Sequence, residues 1–277
     1  MSYSPALVNN DSKDVYFDPQ SAVTKLFSDS DWMVKIGIGG VFNATTVILI
    51  LTSIYFLPLA IMLMALNTGY MLKVMRMQKC LVKPEASVNN DDYQNPLAGG
   101  GSLPAWSNWG DMFFGGLSWI AISLFFQIVI GSLFLAGLFG SSILSAALAG
   151  TVSGVGASLI ASAVLGVFFL LGQFLHMLVS LAMVNFALSE REAAAFDLLA
   201  AFKVFTKNKG QILLAWLFTL GFSVLSIVVP LLTIVGSFLI PSCVFVAQVI
   251  NSMVLAKTFV FETAESKKES SAGNALL

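Results

Sequence analysis

Polar and apolar residues occur along this chain in long blocks. Three stretches, 36–72, 112–189 and 210–256, contain no Asp, Glu, Lys or Arg and run for 37, 78 and 47 residues. A helix crosses a hydrocarbon core of about 30 Å with about 20 residues. Even the shortest stretch, as one straight helix, would reach about 55 Å at about 1.5 Å per residue. Each stretch therefore predicts two crossings. The first divides at Thr52-Ser53 into helices over 33–51 and 54–74, with Pro58 tolerated in the first turns of the second. The third divides around Pro230 into 210–229 and 231–257. The middle one holds 113–138 and 158–188, and the uncharged small-residue segment between them, 139–157, reads equally as an outer loop, a re-entrant piece or a half-helix. The expected fold is an all-α integral membrane protein of six transmembrane helices.

Segments before these helices are too polar to cross and too patterned for coil. In 18–27, Asp18 can cap a helix that starts at Pro19, and Ala22, Val23, Leu26 and Phe27 share one stripe. In 190–207, Ser189 and Glu192 fit a capping box, and Phe196, Leu199, Phe202 and Phe205 share a face. In 104–112, Pro104 can open a helix that puts Trp106, Trp109 and Phe113 on one side, with a bend near Gly110 or Gly115-Gly116. All three read as amphipathic helices in the interface plane. Lys25-Leu26-Phe27-Ser28 and Lys203-Val204-Phe205-Thr206 each precede a hairpin, which suggests an internal repeat. The chain then divides into a tail (1–17), one transmembrane domain (18–262) with a flexible linker at 79–103, and a second tail (263–277).

Composition agrees with this pattern. Of 277 residues, 57% are hydrophobic and 10% charged, against about 25% charged in a soluble domain. Two crossings per stretch gather the charged segments on one side. Lys73, Arg76, Lys79, Lys203, Lys207 and Lys209 lie there, making it the cytoplasmic side, with both termini, and placing these cations against lipid headgroups. Trp32, Trp106, Trp109 and Trp216, together with Asp111, read as interfacial anchors on the same side. The expected location is a prokaryotic cytoplasmic membrane or an internal membrane. A net charge near zero, with the basic cluster beside membrane helices, excludes nucleic acid as the main partner. Membrane lipids, a membrane-protein partner or a second copy are the expected partners. Cys80 and Cys243 have no metal-ligand or disulfide-framework spacing.

Polar side chains at membrane depth are the candidates for chemistry. Gln127, Gln173, His176, Ser180, Gln248 and Asn251 could converge on an interior site, with Gln173, His176 and Ser180 on one helical face. Without an accompanying charge they read first as interhelical hydrogen bonds of about 0.6–2 kcal/mol each. No catalytic, metal or cofactor motif accompanies them. Ser158 follows a Gly156-Ala157 pair but lies about 27 Å along one helix from His176, too far for that base to act on it. Gly131, Gly137 and the small residues of 136–166 suit close helix contacts. The expected role is a non-enzymatic scaffold, assembly factor or accessory subunit, and the second reading is a small transporter or channel past His176.

Several of these positions also carry a resemblance. The Asp31-Trp32…Lys35-Ile36 segment, Gly69-Tyr70, the signature Leu103-Pro104-x-Trp106-x-x-Trp109-Gly110-Asp111-x-Phe113-x-x-Gly116-Leu117 and the later Phe196-Asp197 resemble the DUF4013 family of bacterial and archaeal membrane proteins. The resemblance implies a polytopic membrane protein over most of residues 20–260 and supplies no catalytic residue.

Overall fold

The computed structural model describes residues 18–82, 103–207 and 209–274, and within them the chain is helical with no strand. The expected tail 1–17 and most of the linker 79–103 lie outside the described residues. Helix α1 (Pro19–Ser28) begins as its sequence dictates: the Asp18 carboxylate accepts the Ser21 amide at 3.0 Å and Pro19 fills the first turn. Six further helices follow: α2 (Trp32–Thr52), α3 (Leu57–Val82), α4 (Trp109–Leu148), α5 (Gly154–Ser189), α7 (Lys209–Leu231) and α8 (Ile234–Asn274). Each holds a segment long and apolar enough to span a bilayer, so the protein is an integral membrane protein with six such helices among the described residues. The short α6 (Leu198–Lys207) precedes α7 as α1 precedes α2. Asp197 caps α6 by accepting the Ala200 amide at 2.8 Å, the same three-residue reach as Asp18 to Ser21.

Several boundaries differ from the sequence reading. The turn between α2 and α3 is a 3-10 turn (Ile54–Phe56) capped by Ser53. α3 runs on to Val82, so Lys73, Arg76 and Lys79 lie on the helix itself. The ambiguous 139–157 is two helix ends joined by a short turn at 149–153. α4 continues to Leu148 and α5 starts at Gly154, with Ser153 accepting the Gly156 amide at 3.3 Å. Both helices, 40 and 36 residues long, exceed the length needed for a single crossing. Pro230 lies in the last turn of α7 rather than between helices. Residues 263–274, expected as a tail, continue α8.

The predicted helix at 104–112 does not form before Trp109, nor is α4 interrupted at Gly110 or Gly115-Gly116. The reason is tertiary. Leu103 and Pro104 give their backbone groups to distant side chains, and Asn108 turns at φ 54° into α4, a conformation that asparagine tolerates. The predicted capping box at 189–192 is likewise replaced. Glu190 ends α5 in a left-handed conformation (φ 60°), while the Glu192 carboxylate accepts Ser118 Oγ on α4 at 2.9 Å. The segment 190–207 is thus a 3-10 turn (Glu192–Phe196) followed by α6.

The most extensive packing joins α3 with α4, α7 with α8 and α4 with α5, and α8 also packs on α2 and α3. Between apolar helices in lipid, burial of apolar area supplies no driving force, so close approach and hydrogen bonds decide the packing. A Cβ on Gly69 would fall 1.9 Å from the Met112 carbonyl oxygen, and one on Gly116 would fall 1.8 Å from that of Ala65. Gly137 similarly abuts Phe168, whereas Gly131 faces open space and makes none of the expected contact. Asn67 donates to the Gly39 carbonyl (3.2 Å) and to Asn43 Oδ1 (2.6 Å), and Asn43 donates to the Pro241 carbonyl (3.3 Å). That chain of amides ties α2, α3 and α8 together at membrane depth.

Candidate functional site

The most completely bonded polar centre is Asp29, just after α1, whose side chain is 0% exposed. One carboxylate oxygen accepts the Asp31 amide (2.9 Å) and Lys35 Nζ (3.0 Å); the other accepts Lys35 Nζ (2.8 Å) and the Leu103 amide (2.8 Å). Lys35 Nζ also donates to the Leu103 carbonyl at 3.0 Å. Trp106 Nε1 donates to the Lys35 carbonyl at 3.1 Å, and the Tyr70 hydroxyl to that of Pro104 at 3.1 Å. Burial pushes the Asp29 carboxyl up, but the ammonium and the two amides outweigh it and hold the pKa below its ordinary value. The Leu-Pro-x-Trp segment is therefore fastened by an ion pair on one side and a ring stack on the other. Trp106 stacks on Tyr70 with centroids 4.2 Å apart and sits near Phe42, Trp109 and Phe245.

A second ion pair seats α1. Lys257 Nζ on α8 bonds Asp18 (3.1 Å) and Ser21 Oγ (2.9 Å). Burial would raise the Asp18 carboxyl, yet the Ser21 amide and Lys257 bring it below its ordinary value. Burial and then repulsion from Lys257 lower the Lys25 ammonium.

The polar residues expected to converge do so only in part. Gln127, His176 and Ser180, joined by Ser123, line a partly open cavity of about 210 Å³ between α3, α4, α5 and α8. Met75, Trp119, Val179, Met183, Val184 and Leu255 complete its wall. Ser180 Oγ back-bonds to the His176 carbonyl at 2.9 Å, and His176 Nδ1 is buried with no hydrogen-bond partner. Gln173, one turn away on α5, is not among the lining residues. Asn251 is separate: it bridges α8 to α7, donating to the Thr219 carbonyl (3.3 Å) and to Ser223 Oγ (3.0 Å). Gln248 faces outward from α8. No Asp, Glu, Lys or Arg among the described residues lines the cavity, and His176 is its one titratable side chain.

The anchors and cations also divide. Trp106 is half-buried, stacked on Tyr70 and packed against the neighbouring core, and Trp216 packs against the core around the end of α5. Trp32 meets Phe27 edge-on at 4.9 Å, and Trp109 is 44% exposed. Asp111 lies exposed in the first turn of α4, where the helix dipole favours a carboxylate. Lys73 donates to the Ser107 carbonyl. Arg76 Nε donates to that of Ala187 (3.0 Å) and lies 3.6 Å from Glu190, so both side chains hold backbone ends. Lys203, Lys207 and Lys209 are exposed, and the Lys79 side chain lies outside the described positions. Asp29 was not singled out by sequence reasoning. Its only signal was a carboxylate six residues before Lys35, a spacing common to many solvated pairs.

A family profile described as "Protein of unknown function (DUF4013)" matches residues 51–240, well over half of the chain. The chain belongs to the DUF4013 family. The matched region of this DUF4013 protein runs from the end of α2 into α8 and includes the fastened Leu103–Trp106 segment, Gly69, Gly116 and the cavity wall except Leu255. Asp29 and Lys35 lie before it. No curated protein and no solved structure matches the chain.

Proposed function

We propose that this DUF4013 protein is a non-catalytic membrane scaffold or accessory subunit, with both termini and α1 and α6 on the cytoplasmic side. The observation that carries this reading is where the polar side chains are used. Asp29, Lys35, Tyr70, Trp106, Lys73 and Arg76 all hold backbone in place, and the remaining intramembrane polar groups are dispersed rather than aligned along one path. Phe196, Leu199 and Phe202 are 51%, 66% and 42% exposed, with Lys203, Lys207 and Lys209 exposed nearby. This arrangement suits an amphipathic helix resting on anionic headgroups, where each nearby cation contributes about 1 kcal/mol.

The His176 cavity favours one competing reading, a small transporter. The two are separated by reconstitution. Proteoliposomes of the purified chain should leak protons and small neutral solutes no faster than empty vesicles, and cross-linking in native membranes should trap a stable protein partner. Flux that His176→Ala abolishes, with no trapped partner, would replace the scaffold by the transporter.

A further inference from the structure

We propose that the His176 cavity is a binding site for the uncharged, hydroxyl-bearing head of a neutral lipid, a feature independent of the scaffold reading. The chemistry of the wall selects the ligand. Ser123, Gln127, His176 and Ser180 supply hydroxyl, amide and imidazole groups, each of which can donate or accept. With no lining charge among the described residues, an anionic or cationic head would be buried without a counter-charge, which is heavily penalised. An alcohol can bond to several of these groups at once.

Size and position narrow the choice further. A volume of about 210 Å³ admits a few-carbon polar head and excludes a whole lipid. The lining residues of α4 and α5 belong to membrane-spanning segments, and Gln127 stands at the exposed face of α4. On that face Leu124 and Ile128 are 59% and 61% exposed, a surface along which acyl chains can lie while the head turns inward. His176 Nδ1, buried without a hydrogen-bond partner, marks the wall as incompletely satisfied by the protein's own groups. The same hydroxyl chemistry could come from a free polyol, but the apolar side chains interleaved through the wall favour the lipid.

The test is photo-cross-linking of the full chain in nanodiscs with a diazirine-bearing diacylglycerol, followed by peptide mapping. Labelling should fall on 119–127 and 175–184, should be competed by unlabelled diacylglycerol, and should resist both glycerol and phosphatidic acid. Gln127→Leu, at an exposed position, should cut that labelling at least fivefold with the elution profile and melting temperature unchanged. Ser123→Ala, which removes only the hydroxyl, should reduce it further. Labelling spread evenly over the lipid-facing helices, unaltered by Gln127→Leu, would overturn the proposal. Competition by phosphatidic acid as strong as by diacylglycerol would overturn the requirement for a neutral head. Competition by glycerol would assign the cavity to a free polyol instead.

Discussion

At Asp29 one buried carboxylate meets a lysine and two amides, and the local chain on both sides of it depends on that arrangement. Removing one partner of a buried ion pair costs about 3–5 kcal/mol, because the other is left uncompensated. Asp29→Asn should therefore lower the melting temperature of the detergent-solubilised protein by several degrees. It should also open 103–109 to limited proteolysis, since Asn keeps one acceptor oxygen for two amides and no charge for Lys35. The sign of the pH dependence follows from the same bonds. A carboxyl whose pKa is depressed on folding contributes stability that is complete above its unfolded value of about 3.9 and is lost as pH falls through the folded value. Thermal melting should thus drop below about pH 4 in the native chain, and Asp29→Asn should remove part of that drop. Trp106 teaches a related point about reading single residues. Its spacing from Trp109 suggested two rings at an interface, and the fold adds that Tyr70 and Phe245 cover part of the first of them.

Among the elements, the α3–α4 pair is held at the distance that two glycines permit. Valine at Gly116 would push its side chain into the Ala65 carbonyl, and a misfit of this type costs about 1–3 kcal/mol or more when backbone must move. Gly116→Val should accordingly lower the melting temperature clearly, while Gly131→Val, which meets open space, should change stability by no more than about 0.5 kcal/mol. Denaturation in the same detergent distinguishes them, and equal effects would refute the close-approach account. The same pair of positions shows where sequence reading stops. Gly131 and Gly137 have the same composition around them and the same helical setting, yet only Gly137 lies over a neighbouring side chain. Likewise 139–157 could not be assigned from its composition, because small uncharged residues suit a loop, a re-entrant piece and a packed helix end alike. The structure makes it the end of α4, a turn at 149–153 and the start of α5.

For the whole molecule, the proposed orientation puts the short turns after α2, α4 and α7 on the outer side of the bilayer. The orientation proposed from the basic residues makes a direct prediction. In a chain lacking Cys80 and Cys243, a cysteine at Thr151 in the α4–α5 turn should react with an impermeant maleimide in intact cells. One at Lys207 should react only after permeabilisation; the reverse pattern would invert the topology. The pairing of α1 with α2–α3 and of α6 with α7–α8 repeats one local plan, each short helix capped by an aspartate three residues from its bonded amide. The two copies meet different surroundings: α1 is bound to α8 by Lys257, while α6 lies beside α5.

Hydropathy and charge along the chain determined the fold class, the number of membrane helices and most of their limits. These depend on one-dimensional quantities, the length of an uncharged run against the thickness of a bilayer. The N-terminal cap of α1 was equally legible, since Asp18, Pro19 and Ser21 act on one another within a single turn. Tertiary structure alone decided how the polar residues were used. Asp29 reaches Leu103 across a gap of 74 residues, and Gln127 and His176 share a cavity from different helices, while Gln248 and Asn251 on α8 stay outside it. Such meetings depend on crossing points set by glycine contacts and bonded carbonyls, which no periodicity within one helix encodes.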